Sequence, residues 1–212
     1  MPLTDVRLEL ADVEIPADVG AFLREADRRI EEFQHHARVP GFVPSDFTQV
    51  YGFLRALADA DLTQGNLFCE WGSGFGVVAC LASMLDFDAV GIEIESDLVD
   101  EAEKLADDFG LSVEFIRGSF IPKGGEVYVN KQTGFAWMTT DEDRGNEDRG
   151  LEPDDFDVIF AYPWPDEEGV TERLFERYGR KGAILATYHG GDDLRLRRKK
   201  SKRIAKPNDY RV

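Results

Sequence analysis

The residues best suited by type and spacing to bind a ligand lie between Leu67 and Leu81, in the segment LFCEWGSGFGVVACL. An apolar run leads to the acid Glu70, to glycines at the alternate positions 72, 74 and 76, and then to a second apolar run. Glycines let the backbone turn sharply and approach a ligand closely, and a helix that follows them directs its free N–H groups and positive dipole end at that ligand. The pattern predicts a strand, a nucleotide-binding loop and a helix.

The three glycines by themselves do not establish a nucleotide site, because glycine triplets also occur in loops that bind nothing. The Gly-x-Gly-x-Gly spacing also differs from the Gly-x-Gly-x-x-Gly of dinucleotide-binding folds, and Val77 stands where that fingerprint has its third glycine. This difference and the placement of Glu70 make a nicotinamide oxidoreductase a distant alternative.

A second acid strengthens the nucleotide interpretation. The predicted strand Ala89–Glu93 ends in a carboxylate 21 residues beyond Gly72, where an acid can accept hydrogen bonds from both ribose hydroxyls. Glu95 is close enough to take that role instead, and a solvated acid at a strand end is the simpler alternative.

Together, EWGSGFG at 70–76 and VGIEIE at 90–95 resemble the class I S-adenosylmethionine-dependent methyltransferases, over about residues 40–190. The likeness to small non-SET protein lysine methyltransferases is looser. The resemblance implies S-adenosylmethionine as the cofactor, with Glu70 holding its amino group and Glu93 its ribose. The full set of cofactor-binding residues that it implies is Glu70, Trp71, Gly72, Ser73, Gly74, Gly76, Glu93, Ile94, Ser119 and Phe120.

The resemblance also leads to expectations for two other segments of the chain. Many relatives carry an acid at or near Ser119 that contacts the adenine amino group, and here a backbone N–H or the serine hydroxyl would substitute. In the family, a segment before the first strand often closes over the cofactor. Phe42, Pro44 and Phe47 are candidates for that role, with ordinary helix packing as the alternative.

The candidate catalytic residues follow two later strands. The strand at 156–161 leads into Tyr162-Pro163-Trp164-Pro165. The overlapping segment Ala161-Tyr162-Pro163-Trp164 resembles the Asn/Asp-Pro-Pro-aromatic motif of amino-methyltransferases with its first two positions changed. The missing Asn/Asp argues against adenine N6 methylation, whereas Tyr162 and Trp164 can face an amine through cation–π contacts. His189 is a candidate proton acceptor. Loop packing of the aromatic residues and a surface position for the histidine are the alternatives.

The order of apolar segments predicts an α/β, Rossmann-like, mostly parallel sheet with helices on both faces. We divide the chain into an N-terminal helical extension (1–60), a methyltransferase domain (61–192) and a basic tail (193–212). Within the domain, 122–152 is predicted to form an inserted β-hairpin, with strands at 126–130 and 135–139, and an acidic loop. So few residues follow the fifth parallel strand that the sheet is expected to be truncated at its C-terminal edge.

Composition limits the partners and the compartment. The 212 residues carry a net charge of −17, yet 194–212 holds nine Lys or Arg and one Asp. An acidic body suits a basic partner or simply solubility, and the basic stretch at 195–206 can contact nucleic acid or fold back on the body.

No apolar run of about 18 residues predicts a membrane span, and the first residues lack a signal pattern, so a cytoplasmic location is expected. Cys69 and Cys80 are expected to be inert core thiols rather than a metal site or disulfide.

These observations favour an S-adenosylmethionine-dependent methyltransferase that acts on a nucleophilic amine, with a protein lysine as the leading candidate. An RNA or small-molecule methyltransferase and a non-catalytic cofactor-binding module remain open alternatives.

Overall fold

The computed structural model describes residues 2–8, 14–129 and 151–200. The strands are β1 (Leu3–Val6), β2 (Leu67–Trp71), β3 (Asp88–Glu93), β4 (Val113–Arg117), β5 (Val158–Ala161), β6 (Ile184–Tyr188) and β7 (Leu194–Lys199). The helices are α1 (Ala17–His36), α2 (Phe47–Asp59), α3 (Val77–Ser83), α4 (Ser96–Asp108) and α5 (Glu168–Tyr178), and a 3-10 helix, η1, spans Gly125–Tyr128.

The strands form one sheet in the order β1-β7-β6-β5-β2-β3-β4. Strands β2 to β6 pair in parallel, β7 runs antiparallel to β6, and β1 runs antiparallel to β7. From β2 the chain builds outward to β3 and β4, and it then returns to the other side of β2 with β5 and β6. Open α/β sheets bind ligands at the carboxyl ends of the strands beside such a switch point, here between β2 and β5.

Helices cover both faces of the sheet, which confirms the predicted fold class. On one face, which we call the α3 face, helices α1 to α4 pack on Phe68, Phe115 and Phe160. On the other, the α5 face, helix α5 and η1 pack on Trp71 and Ile159. Strand residues alternate between the faces, so β2 contributes to both cores.

The expectation of a truncated sheet is corrected, because 194–199 of the supposed basic tail form β7. Alternation in LRLRRK buries Leu196 against the α3 face, and two of the four cations pair with acids. Arg197 pairs with Asp5 and Glu172, and Arg195 pairs with Asp193 and Glu168. Strand β1, from the segment predicted as a helical extension, completes the same edge. The high charge of 194–199 hid a strand that buries Leu196 and Lys199 and keeps its arginines half-buried.

The predicted hairpin is also corrected in its first half. Its first strand, proposed for 126–130, is instead η1, which is entered through Gly124 at φ +82°. A Cβ on Gly125 would lie 2.9 Å from Leu174, so this segment packs directly against α5. The second hairpin strand at 135–139 and the acidic loop at 141–150 lie outside the described residues.

Two further expectations concern the core and the membrane. Cys69 and Cys80 are both buried free thiols, and burial raises the pKa of each well above its ordinary value, so both stay protonated. None of the helices in the described ranges combines the length and the apolar character that crossing a bilayer requires.

Candidate active site

The glycine loop leaves β2 in a left-handed backbone conformation that its three glycines make possible. Gly72, Gly74 and Gly76 have φ of +71°, +53° and +68°. The N–H groups of Gly72 and Ser73 both donate to the carbonyl of Ile92, at 2.9 and 3.0 Å, which ties the loop to β3. Left-handed backbone is disfavoured for residues with a Cβ, so the alternate glycines are needed for the turn itself.

Each glycine faces different surroundings. A Cβ on Gly72 would have no heavy atom within 4 Å, so this position opens into a cleft. A Cβ on Gly74 would lie 2.7 Å from the Phe42 ring, which covers the loop. A Cβ on Gly76 would lie 2.3 Å from Phe115, inside the core. Gly76 is therefore a packing residue and does not line the cleft, unlike the other residues that we predicted to bind the cofactor.

The two predicted acids lie at adjacent strand ends and are anchored by backbone amides. Glu70 accepts a hydrogen bond from the N–H of Ala79 in α3 at 2.9 Å. Glu93 accepts three, from Gly74 at 2.8 Å, Ile94 at 2.8 Å and Glu95 at 3.0 Å. A carboxylate has about four lone-pair sites, so each acid can still accept from a ligand.

Burial dominates the protonation of both acids. Glu70 is 6% exposed and Glu93 is 9% exposed. Burial raises the pKa of Glu70 well above its ordinary value, against the smaller opposing effect of the Ala79 N–H. It also raises the pKa of Glu93, against its three amide donors. A cationic or hydroxyl-bearing ligand would relieve this desolvation, so both acids are poised to bind one.

A cleft of about 450 Å³ lies over the carboxyl ends of β2, β3 and β5. We call the region around Glu70, Gly72–Gly74 and Glu93 its glycine-loop end. Val39–Ser45, which we call the covering segment, line the cleft together with Phe47, and Phe42 lies against Gly74. Closure of Phe42, Pro44 and Phe47 over a cofactor stays a prediction. The Phe42 ring stacks on Phe75 with a centroid distance of 5.6 Å.

Two buried polar atoms in the lining have no hydrogen-bond partner among the described residues: Ser73 Oγ and Trp71 Nε1. Ser73 Oγ lies against β3, 2.8 Å from the place where a Cβ on Gly91 would be, so it faces the core. The two acids and the open Gly72 fit an elongated ligand that carries an amine and a ribose.

Beyond Glu93, the cleft wall is aromatic. Trp71 stacks on Phe120 with a centroid distance of 5.1 Å and an interplanar angle of 11°. The hydroxyl of the buried Ser119 accepts a hydrogen bond from the N–H of Ile121 at 3.2 Å. Ile94, Ser119 and Phe120 all line the cleft, as predicted.

The opposite side, which we call the aromatic end, consists of Tyr162, Pro163 and Trp164 with Val43 from the covering segment. Tyr162 and Trp164 are each 38% exposed and Val43 is 49% exposed. The Tyr162 ring packs on Tyr188, with ring centroids 4.8 Å apart. Burial, with a smaller contribution from Tyr188, raises the pKa of Tyr162, so its hydroxyl is a donor and not a base.

The structure does not bring His189 into this cleft. Its Nε2 lies 2.8 Å from the Thr187 hydroxyl, and its Nδ1 lies 3.0 Å from Oε1 of Glu168. Nε2 thus faces Thr187 of β6 and Nδ1 faces the start of α5, and His189 is not among the residues that line the cleft. The sequence correctly placed His189 just after β6. A position at a strand end does not determine the direction of the side chain, so the sequence did not show where the ring points.

Among the lining residues that sequence reasoning missed are Glu167 and Thr171, at the start of α5. They lie beyond the end of β5 by several residues, and no motif marks them. Among the described residues, no group of three or more His, Cys, Asp or Glu side chains is arranged to hold a metal ion.

Comparisons with known proteins match this architecture. No family model and no curated protein matches the chain. An RNA methyltransferase from Salinibacter ruber, solved with S-adenosylhomocysteine, is 20% identical with a TM-score of 0.53, covering 80% of this chain and 100% of its own. An O-methyltransferase from Bacillus cereus, also solved with S-adenosylhomocysteine, is 18% identical with a TM-score of 0.56, covering 83% and 68%. A methyltransferase from Geobacter sulfurreducens is 17% identical with a TM-score of 0.50, covering 88% and 92%. The chain therefore has the fold of the class I S-adenosylmethionine-dependent methyltransferases.

Proposed function

We propose that this protein is an S-adenosylmethionine-dependent methyltransferase. The observation that carries the proposal is the open glycine loop, with Gly72 facing empty space between two buried acids at adjacent strand ends. In this assignment Glu70 holds the amino group of the cofactor and Glu93 accepts from its ribose. The solved structures of the same fold that contain S-adenosylhomocysteine support the choice of ligand.

We further propose that the methyl acceptor is an amine, with a protein lysine as the leading candidate. When bound, S-adenosylmethionine would supply a methyl group on its sulfonium. A neutral amine nitrogen would form a bond to that carbon as the C–S electron pair returns to sulfur, and the resulting ammonium would release a proton to water. The aromatic end suits this acceptor, because Tyr162 and Trp164 can contact an ammonium on its approach and apolar surroundings favour the neutral, nucleophilic amine. The net charge of −17 suits a basic protein partner.

Two measurements on the whole chain test the proposal. Calorimetric titration with S-adenosylhomocysteine should give micromolar binding, and NADH should give none. Transfer of tritium from labelled S-adenosylmethionine should then label a lysine-rich protein pool. Binding without transfer to any protein, RNA or metabolite pool would point to a non-catalytic cofactor-binding module. Labelling of RNA or a metabolite alone would overturn the lysine assignment and leave the cofactor assignment intact.

An RNA methyltransferase is the second candidate, because one neighbour whose whole chain is covered carries that description. The cations of 195–199 give it little support, since Arg195 and Arg197 pair with acids, Arg198 donates to the carbonyl of Leu62 and Lys199 to that of Gly179. An RNA-binding arm would therefore have to use residues beyond 199. Replacing Lys202, Arg203 and Lys206 with glutamine should abolish salt-dependent RNA binding if this candidate is right, and leave lysine methylation unchanged if it is wrong.

A further inference from the structure

A chain of polar contacts links the turn between β6 and β7 to the start of α5, outside the cleft. The His189 ring lies between the Thr187 hydroxyl, 2.8 Å from Nε2, and Oε1 of Glu168, 3.0 Å from Nδ1. The other oxygen of Glu168 accepts a hydrogen bond from Arg195 at 3.2 Å, and Arg195 also pairs with Asp193. Side chains from the turn and from β7 thus contact one carboxylate in the first turn of α5.

The order hydroxyl, imidazole and carboxylate is also that of a nucleophilic triad, but here the three groups are enclosed. Thr187 is 7% exposed, and the side chain of His189 is 6% exposed. Neither of them lines the cleft, and neither does Glu168, so a substrate in the cleft does not reach this hydroxyl. The arrangement is therefore suited to holding Glu168 in place and not to attacking a substrate.

The backbone that carries His189 is itself fixed by the turn. The N–H of His189 donates to the carbonyl of Asp193 at 2.9 Å, and the N–H of Asp193 donates to the carbonyl of Gly190 at 3.2 Å. Gly190 and Gly191 have φ of +91° and +53°, which lets the chain reverse within a few residues. The imidazole therefore extends toward α5 from a backbone that two paired strands hold.

The start of α5 directly follows the loop that forms the aromatic end of the cleft. The N–H of Glu167 donates to the carbonyl of Trp164 at 2.8 Å, so one tight turn joins Trp164 to the helix. Earlier in the loop, the Tyr162 ring packs on Tyr188 with ring centroids 4.8 Å apart. The loop is thus attached to the same pair of strands on both sides, through the adjacent residues Tyr188 and His189.

We propose that His189 is a positioning residue for the aromatic end, which fixes Trp164 through Glu168 and thereby sets the affinity for the methyl acceptor. The proposal rests on the proposed function, since it assumes that an amine acceptor binds at this end. A loop that is free to move must be ordered whenever an acceptor binds, and this cost in conformational entropy weakens binding. Glu70 and Glu93 are held by backbone amides of other segments, so cofactor affinity does not depend on His189.

The first test requires no ligand. Hydrogen–deuterium exchange of 162–171 is compared in the full chain for wild type, His189→Asn, His189→Gln and Arg180→Ala. Asparagine places its amide nitrogen where Nδ1 lies and keeps a donor toward Glu168, whereas glutamine places its amide nitrogen where Nε2 lies and loses that contact. Only His189→Gln should accelerate exchange, by roughly tenfold. Arg180→Ala is the control, because it breaks an ion pair with Asp157 beyond the other end of α5.

The second test measures the acceptor and the cofactor separately in the same variants. The KM for polylysine should rise roughly threefold to tenfold in His189→Gln, with kcat and the calorimetric affinity for S-adenosylhomocysteine within twofold of wild type. His189→Asn and Arg180→Ala should match wild type in all three quantities. Once Glu168→Gln is present, His189→Gln should raise KM no further, because both changes break the same contact.

Each other outcome has a definite meaning. Unchanged exchange of 162–171 in a folded His189→Gln variant would overturn the inference, and Glu168→Gln, which breaks the same contact from α5, replaces that variant if it does not fold. Faster exchange with an unchanged KM, or a loss of cofactor affinity equal to the rise in KM, would also overturn it.

The proposed function fails in a different way. If wild type binds no S-adenosylhomocysteine, or transfers no methyl group to polylysine, the proposed function is refuted and the effect of His189 on acceptor affinity is refuted with it. The exchange measurement then still decides whether His189 holds the loop, because it depends on neither ligand.

Discussion

The two ends of the cleft differ in the type of side chain that lines them and in how far those side chains are buried. At the glycine-loop end, the carboxylates are less than a tenth exposed and are held by main-chain N–H groups, four in all for Glu70 and Glu93. At the aromatic end, Tyr162 and Trp164 each leave 38% of their surface in water. One end is fixed by backbone geometry before any ligand arrives, and the other keeps apolar surface available for a partner to cover.

This difference suits two ligands with different demands. A cofactor that is always the same molecule benefits from a preorganised site, because little conformational entropy is lost on binding. A methyl acceptor is recognised on approach and released after transfer, and exposed aromatic rings supply adaptable contact area for it. The comparison makes separate predictions for the two ends: substitutions at one should change cofactor affinity, and substitutions at the other should change acceptor recognition.

The largest effect is expected for Glu93→Ala. The change removes the proposed acceptor for the ribose and releases the N–H groups of Gly74, Ile94 and Glu95. We expect S-adenosylhomocysteine affinity to fall by about 1–3 kcal/mol, roughly five- to 150-fold, as measured by calorimetry. Glu95→Ala, at the exposed acid nearby, is the matched control and should change little. A larger loss in the control would transfer the ribose role to Glu95.

The second prediction tests how tightly the glycine-loop end is packed. Alanine at position 74 must adopt φ +53° and would bring its Cβ to 2.7 Å from Phe42, whereas alanine at position 72 adopts φ +71° in open space. Each substitution should destabilise the fold by about 1–2 kcal/mol through the left-handed backbone. In thermal melting, the Tm of Gly74→Ala should fall further than the Tm of Gly72→Ala. Adding Phe42→Ala to the Gly74→Ala variant should recover only this additional decrease. Equal losses for the two single variants would mean that the covering segment moves away freely.

The glycine-loop end was predictable from sequence for a physical reason. Its function depends on backbone conformations that glycine alone adopts easily, and on acids at fixed distances along two successive strands. Such constraints leave a local signature, so the sequence alone predicts that Glu70, Gly72 and Glu93 lie together at one edge of the sheet, and the structure places all three in one cleft. Gly76 shows the limit of that signature, because its spacing fits the loop while its position meets Phe115 in the core.

Other parts of the molecule depend on contacts between distant segments. Strand β7 pairs with β1 from the other end of the chain, and its Arg197 pairs with Asp5 and Glu172. Nothing within LRLRRK reveals these partners, so the segment resembled a charged tail. The same reason explains Glu167, which reaches the cleft only because α5 packs beside the segment that follows β4.

The third prediction concerns the aromatic end. Trp164→Ala should raise the KM for an amine acceptor by an amount equivalent to about 0.5–2 kcal/mol, because a cation–π contact is lost, and should leave S-adenosylhomocysteine affinity within twofold. Val127→Ala, which alters an apolar side chain that is 79% exposed and does not line the cleft, is the matched control. A drop in cofactor affinity that equals the change in KM would erase the distinction between the two ends.

The smallest effect is expected for the stability of Glu70→Gln as a function of pH. The folded pKa of Glu70 lies well above its ordinary value of 4.5, because burial penalises the charged form. The unfolded chain therefore releases this proton first as the pH rises. The stabilising contribution of the protonated group is complete below about pH 4.5 and is lost as the pH climbs toward the folded pKa. Glutamine keeps an acceptor for the Ala79 N–H without this dependence.

We therefore expect Glu70→Gln to match wild type near pH 4 and to become more stable above it; a gain of about 1 kcal/mol corresponds to a rise in Tm of roughly 2–4 °C. The exposed acid substitution Glu103→Gln should show no such trend. Saturating S-adenosylhomocysteine should reverse the order at neutral pH, because its ammonium group stabilises the ionised Glu70 of wild type and finds no charge in the variant. A stability difference that is constant across pH would mean that Glu70 carries no desolvation penalty, and the glycine-loop end would then be preorganised without electrostatic strain.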